Sequence, residues 1–121
     1  MSLFGRISDM FGNGPQAELD DDPDTFKAIE KLTVGLSLYH FYSCPFCARV
    51  HRALKKLGVA LELRDVSQDV GRRAELISGG GRATVPCLRM EDPDDGAVTW
   101  MYESRDIIAW FERELGQIRA G

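Results

Sequence analysis

Two cysteines two residues apart, in Cys44-Pro45-Phe46-Cys47, are the side chains of this sequence best suited to chemistry. They stand at a corner. The run Leu36 to Phe41 before them is apolar apart from Ser37 and His40, and the residues after them repeat at helical spacing. A thiol at a helix N-terminus meets unpaired backbone N–H groups and the positive end of the helix dipole, both of which favour negative charge. The thiolate is the nucleophilic form of cysteine. The chemistry expected is thiol–disulfide exchange, with Cys44 as the attacking thiolate, exposed just ahead of the helix. Cys47, one turn inside and less exposed, is its resolving partner. The competing reading is half of a zinc site. Metal sites use four ligands in paired spacing, and the candidates left over, Cys87, His40 and His51, do not have it.

The elements around the corner follow from periodicity. Leu36 to Phe41 reads as a strand buried on both faces. The following helix carries Phe46, Val50, Leu54 and Leu57 on one stripe and ends at Gly58, with Lys55 and Lys56 suiting its negative end. Val59 to Val66 alternates and predicts a half-exposed strand near a sheet edge. Strand, helix, strand in that order predicts a parallel crossover. Asp69 to Ser78 reads as a helix with Val70, Ala74 and Ile77 inward, stopped by Gly79-Gly80-Gly81. Cys87 to Glu91 and Ala97 to Tyr102 form an antiparallel hairpin around Asp94-Asp95-Gly96. Ser104 caps a last helix whose Ile107, Ile108, Phe111 and Leu115 face the core. Upstream, Asp22-Pro23-Asp24 starts a helix to about Leu32 with Phe26, Ile29 and Leu32 on one face. The fold class expected is α/β, a four-stranded mixed sheet with helices on both faces.

Composition bounds the function. The chain has 121 residues, 44% hydrophobic and 28% charged, as for one globular domain. A net charge of -4 without a basic tract argues against nucleic acid as partner. Three cysteines do not make a disulfide scaffold, and an odd count suits a reducing, cytoplasmic location. Met1 to Gly12 lacks the apolar run of a signal peptide, and no stretch reaches membrane-spanning length. Leu3, Phe4, Ile7 and Phe11 predict a short amphipathic helix over residues 2–11. A membrane-surface role for it is disfavoured, since Arg6 is its one basic residue. Residues 1–22 thus form an amphipathic segment and an acidic linker, Gly12 to Asp22 with its acidic run at Glu18 to Asp22, and residues 23–121 form the domain.

Three motifs together resemble the glutaredoxins, within the thioredoxin-like fold. They are Cys44-Pro45-Phe46-Cys47 after a buried strand, Gly81-Arg82-Ala83-Thr84-Val85-Pro86, and a polar helix start after the hairpin. The last, Tyr102-Glu103-Ser104-Arg105-Asp106-Ile107, is more similar to the glutathione-binding N-terminal domain of glutathione transferases. The likeness covers about Leu36 to Leu115, and the chain ends before the transferases' all-helical second domain would begin.

The resemblance implies a glutathione-dependent oxidoreductase acting on glutathionylated or disulfide-containing proteins, as a monomer or weak dimer, with catalytic Cys44 and Cys47. It implies a cis bond before Pro86, which exposes the Val85 backbone N–H and C=O for pairing with glutathione as an added strand. An ordinary trans proline opening a strand is the alternative. Glu103 and Ser104 would take the γ-glutamyl amine and carboxylate, and Arg82 the glycyl carboxylate, with Tyr42 as a wall. Ser104 also reads as a plain cap and Arg82 as a solvated loop residue. Cys87 reads as a buried small hydrophobe or as a third redox thiol. The family's lysine ahead of the first cysteine is replaced by Phe41, leaving Arg49 or Arg82 as substitute cations. The alternatives to exchange chemistry are a glutathione-ligated two-iron–two-sulfur (2Fe–2S) module and a glutathione-binding interaction domain with little turnover.

Overall fold

The computed structural model describes residues 21–120. The expected helix over 2–11 and nearly all of the acidic linker lie outside the described residues. Helix α1, Pro23–Thr33, starts as its sequence dictates: Asp22 accepts the Thr25 N–H at 2.8 Å, and Pro23 occupies the first turn, where no N–H is needed. Strand β1 is Leu36–His40, helix α2 Pro45–Leu57 and strand β2 Glu62–Asp65. A six-residue helix α3, Val70–Glu75, runs on into a π-helical turn, Leu76–Gly80. Strands β3, Cys87–Glu91, and β4, Val98–Met101, precede helix α4, Ser104–Ala120. Gly58 ends α2 at φ +79°, giving its N–H to the Leu54 and Lys55 carbonyls.

The sheet order is β2-β1-β3-β4. β1 pairs with β2 in parallel and with β3 antiparallel, and β3 pairs with β4 antiparallel. This is the mixed sheet and edge position of β2 that the alternation predicts. Strand alternation divides the core in two. Leu36, Leu38 and Leu88 pack with Val50, Leu54, Ile107, Phe111 and Leu115 beneath α1, α2 and α4. Tyr39, Val66, Leu76 and Cys87 form the cluster on the opposite face. Asp21 pairs with Arg119 at 2.8–2.9 Å, tying the entry to α1 to the end of α4.

Several inward assignments are corrected. Val70 is 83% exposed, Ala74 and Ile77 also face solvent, and Leu76 is the buried residue of that segment. The six-residue α3 buries none of its side chains, and the segment meets the core only where the π turn begins, at Leu76. Phe26 is 56% exposed, with Ile29 alone of α1 fully buried. Phe46 is 53% exposed, and Cys47 takes its place on the inner stripe of α2.

Candidate functional site

Cys44 is the residue at which strand gives way to helix. Its backbone is extended, φ −82° and ψ 120°, and its N–H reaches back to the Phe41 carbonyl at 3.2 Å. Its own carbonyl accepts the Ala48 N–H at 3.0 Å, so the helix begins immediately after it. Cys44 Sγ accepts the backbone N–H of Cys47 at 3.3 Å, as a capping oxygen would. No acidic residue stands in the first turn of α2 to oppose a negative sulfur.

The second wall is the loop before β3. The Val85–Pro86 peptide bond is cis, and the Val85 carbonyl accepts from Cys44 Sγ at 3.9 Å. Tyr102 steadies this loop from β4's end: its hydroxyl donates to the Arg82 carbonyl at 2.9 Å and accepts the Arg82 N–H at 3.3 Å. The Arg82 guanidinium lies 4.2 Å from the centre of the Tyr102 ring.

Between these walls and the start of α4 lies a cleft of about 610 Å³. Thr84, Val85 and Pro86 form one side, Tyr102, Glu103, Ser104 and Arg105 the end, and Phe46 and Arg49 of α2 the other side. Val85, Pro86, Glu103 and Ser104 are therefore brought together, and Cys44 adjoins them through Val85. Arg82 and Tyr42 do not line the cleft. Tyr42 is 73% exposed and leans on two histidines instead. Arg49, Arg105 and Tyr102 do line it. Arg105 was legible as the residue after Ser104, but nothing in sequence aims Tyr102 at Arg82.

Two details differ from expectation. Cys44 is only 6% exposed, because the Val85 carbonyl and the Cys47 N–H close over the sulfur. Ser104 is the first residue of α4 rather than the residue before it; the Glu103 carbonyl accepts the Ile107 N–H at 2.9 Å, which makes Glu103 the cap position.

The other thiols are held neutral. Burial pushes the Cys47 thiol up to about 12, helped by its contact with Cys44. Burial also raises Cys87 to about 12, only partly offset by Tyr102. Cys87 pairs with Tyr39 in the sheet and faces the cluster opposite α2. That is the placement of a small hydrophobe.

Beneath the corner, His40 Nδ1 and His51 Nε2 are 3.1 Å apart, joining β1 to α2. Burial lowers the pKa of both, and in His40 repulsion from His51 adds to it while Asp65 opposes it. Among the described residues no group of three or more His, Cys, Asp or Glu is placed to hold a metal ion. Among the described residues no helix is long and apolar enough to cross a membrane.

The parallel β1–β2 pair, the antiparallel β3–β4 hairpin, the cis-proline and the thiol capping a helix define a thioredoxin-like fold. Known proteins agree. Residues 38–117 match the family described as "Glutathione S-transferase, N-terminal domain", and the chain belongs to that family. Among solved structures, the trimeric glutathione transferase TDR1 of Leishmania is 26% identical with a TM-score of 0.54, over 65% of this chain and 17% of that one. Maleylacetoacetate isomerase from Anaeromyxobacter dehalogenans, determined with GSH in the active site, is 26% identical with a TM-score of 0.50, over 67% and 38%. A wheat glutaredoxin, 21% identical with a TM-score of 0.50 over 77% and 86%, shares the fold. The chain thus spans well under half the length of the transferase and the isomerase. No curated protein matches the sequence. Family and fold together make the chain a thioredoxin-like domain of the glutathione S-transferase N-terminal family.

Proposed function

We propose that this chain is a glutathione-dependent thiol–disulfide oxidoreductase that reduces glutathione mixed disulfides, with Cys44 as the attacking sulfur. The observation that carries this reading is the double setting of Cys44 Sγ, against the Cys47 N–H at 3.3 Å and the Val85 carbonyl at 3.9 Å. The first sets a backbone donor at the helix start against the sulfur; the second puts that sulfur beside a backbone edge on which an extended peptide can pair.

In the first step the Cys44 thiolate attacks the glutathione sulfur of a mixed disulfide. A Cys44–glutathione disulfide forms, and the substrate's sulfur leaves as a thiolate and takes a proton from solvent. In the second, the thiolate of another glutathione attacks the glutathione sulfur held on Cys44. Oxidised glutathione leaves and the Cys44 thiolate returns. Glutathione is oxidised, the substrate cysteine is reduced, and electrons balance. Burial holds the Cys47 thiol in its protonated form, which favours this route over closure of a Cys44–Cys47 disulfide.

Glutathione lies in the cleft, paired to Val85 beside Pro86. Ser104 and the start of α4 hold the γ-glutamyl carboxylate, and Glu103 the amine. Arg82, outside the cleft on the Tyr102 ring, leaves that ring to reach the glycyl carboxylate. All these groups come from one copy of the chain, and a reducing, cytoplasmic compartment supplies the glutathione. The test is a coupled glutathione-dependent reduction assay on wild type, Cys44→Ser and Cys47→Ser. Loss with Cys44→Ser alone supports the two-step route, and loss with either variant supports disulfide closure. An inactive wild type refutes the enzyme and leaves a glutathione-binding domain. A coloured anaerobic preparation would point to the cluster reading instead.

A further inference from the structure

Four cations, Arg49, Arg52, Lys55 and Lys56, stand exposed along α2. Among the described residues none of them forms an ion pair, and no other helix carries four such cations. This concentration of positive charge belongs to a chain whose net charge is -4. The four cations rim a second cavity of about 580 Å³ between α2 and α4, floored by Ala53, Leu57 and Ile108 and carrying one acid, Glu112. That cavity and the cleft beside Cys44 share Arg49, Ile108 and Glu112, so they make one continuous groove. At its upper end the exposed Phe46 projects two residues after Cys44, and Arg49 lies 5.4 Å from the Phe46 ring centre.

We propose that this groove is the docking surface for the polypeptide half of the disulfide substrate, and that it selects an acidic segment next to the reacting cysteine. The inference rests on the reading of Cys44 as the exchange thiol. With glutathione along Val85 and Ser104, the α2 wall is the side of the cleft left for the second half of the disulfide. An exposed aromatic side chain near a reacting atom suits a polypeptide, which brings both apolar and backbone groups. The helix rise puts Arg49, Arg52 and Lys56 about 8, 12 and 18 Å from Cys44. At about 3.3 Å per extended residue, these cations meet acids about two to six residues from the substrate cysteine. Nucleic acid is disfavoured by the overall negative charge and an apolar groove floor. An anionic membrane would need a flat face rather than a groove between helices.

The test uses the full chain carrying Arg52→Glu, Lys55→Glu and Lys56→Glu together, three residues outside the cleft that adjoins Cys44. The probes are peptides with serine in place of the reacting cysteine, bearing acidic, neutral or basic residues at the positions above. Calorimetry should show the acidic peptide binding wild type about tenfold tighter than the basic one at low salt. The advantage should collapse at about 0.3 M salt and invert in the triple variant. Turnover should follow: kcat/KM for the glutathionylated acidic peptide should fall about tenfold in the variant, while the small cysteine–glutathione disulfide stays within about twofold. Equal binding of acidic and basic peptides overturns the inference, as does a preference that survives charge reversal. Tighter, reversal-sensitive binding of single-stranded DNA or phosphatidylserine vesicles also overturns it. Failure of the exchange reading looks different: wild type would turn over neither disulfide while still binding the acidic peptide.

Discussion

The backbone N–H of Cys47 donates to Cys44 Sγ at 3.3 Å, while the Cys47 thiol is fully buried and raised to about 12. One residue thus does two separable things: its backbone supports an anion on Cys44, and its side chain stays protonated. Cys47→Ser keeps the backbone donor and should retain at least about half the activity toward glutathione mixed disulfides. Cys44→Ser should lose at least about a hundredfold, because the nucleophile itself is gone. Steady-state rates of both variants, with circular dichroism to confirm folding, check this. A Cys47→Ser loss as large as that of Cys44→Ser would mean the disulfide-closing route dominates.

The Tyr102 hydroxyl clamps both backbone groups of Arg82, two residues ahead of Thr84. Tyr102→Phe removes about 0.5–1.5 kcal/mol per hydrogen bond and frees the loop that carries Val85. The expected result is a KM for glutathione raised several-fold with little change in kcat. Gly80→Ala should act on the same clamp, since a Cβ there would collide with the Tyr102 hydroxyl. Overpacking of this kind costs about 1–3 kcal/mol, readable in chemical denaturation.

What could be read from the sequence was what depends on near neighbours. The Cys44 corner, the Asp22-Pro23 helix start and the Asp94-Asp95-Gly96 turn each carry their own hydrogen-bonding logic within a few residues, and each appears as expected. The cis bond before Pro86 was legible only through a resemblance to a known family. The burial of Cys44 was not legible, because the group that closes over it is 41 residues away. Nor were the His40–His51 pair and the Tyr102 clamp, which need β1 against α2 and β4 against a loop. Val70, Ala74 and Ile77 fall at helical spacing yet face solvent, and that spacing does not announce the π turn that buries Leu76.

His40 and His51 set the acid limb of stability. Both have folded pKa values below the ordinary 6.5, with burial the main cause. Below pH 6.5 the unfolded chain therefore binds protons that the folded chain refuses, and stability falls as pH falls. The loss should begin near pH 6.5 and level off below the lowered folded values. Denaturation midpoints measured across that window should fall for wild type and stay flatter for His40→Gln combined with His51→Gln. A wild-type profile without that decline would contradict the burial of the pair.

Cys87, together with Cys47, sets the alkaline limb with the opposite sign. Its folded pKa of about 12 exceeds the ordinary 9.0, so above pH 9 the unfolded thiol ionises while the folded one cannot. Stability is full below 9 and lost as pH rises from there toward 12. Cys87→Ala should lessen that loss. At neutral pH, iodoacetamide followed by mass spectrometry should label Cys44 first and leave Cys87 and Cys47 unmodified until the protein unfolds.

Phe41 occupies the position where glutaredoxins usually carry a lysine, and its packing explains why the exchange is not free. The ring packs against the cluster of Tyr39, Val66, Leu76 and Cys87, while its carbonyl accepts the Cys44 N–H at 3.2 Å. Phe41→Lys would add a cation next to the corner and raise the rate of Cys44 alkylation. It would also withdraw an aromatic ring from a half-buried site, at about 1–3 kcal/mol. Both effects should appear together: faster thiol modification at neutral pH, and a lower denaturation midpoint. Phe41→Leu separates them, since it should cost stability without quickening the thiol. If Phe41→Leu quickened Cys44 as much as the lysine did, loosening of the corner rather than charge would be the cause.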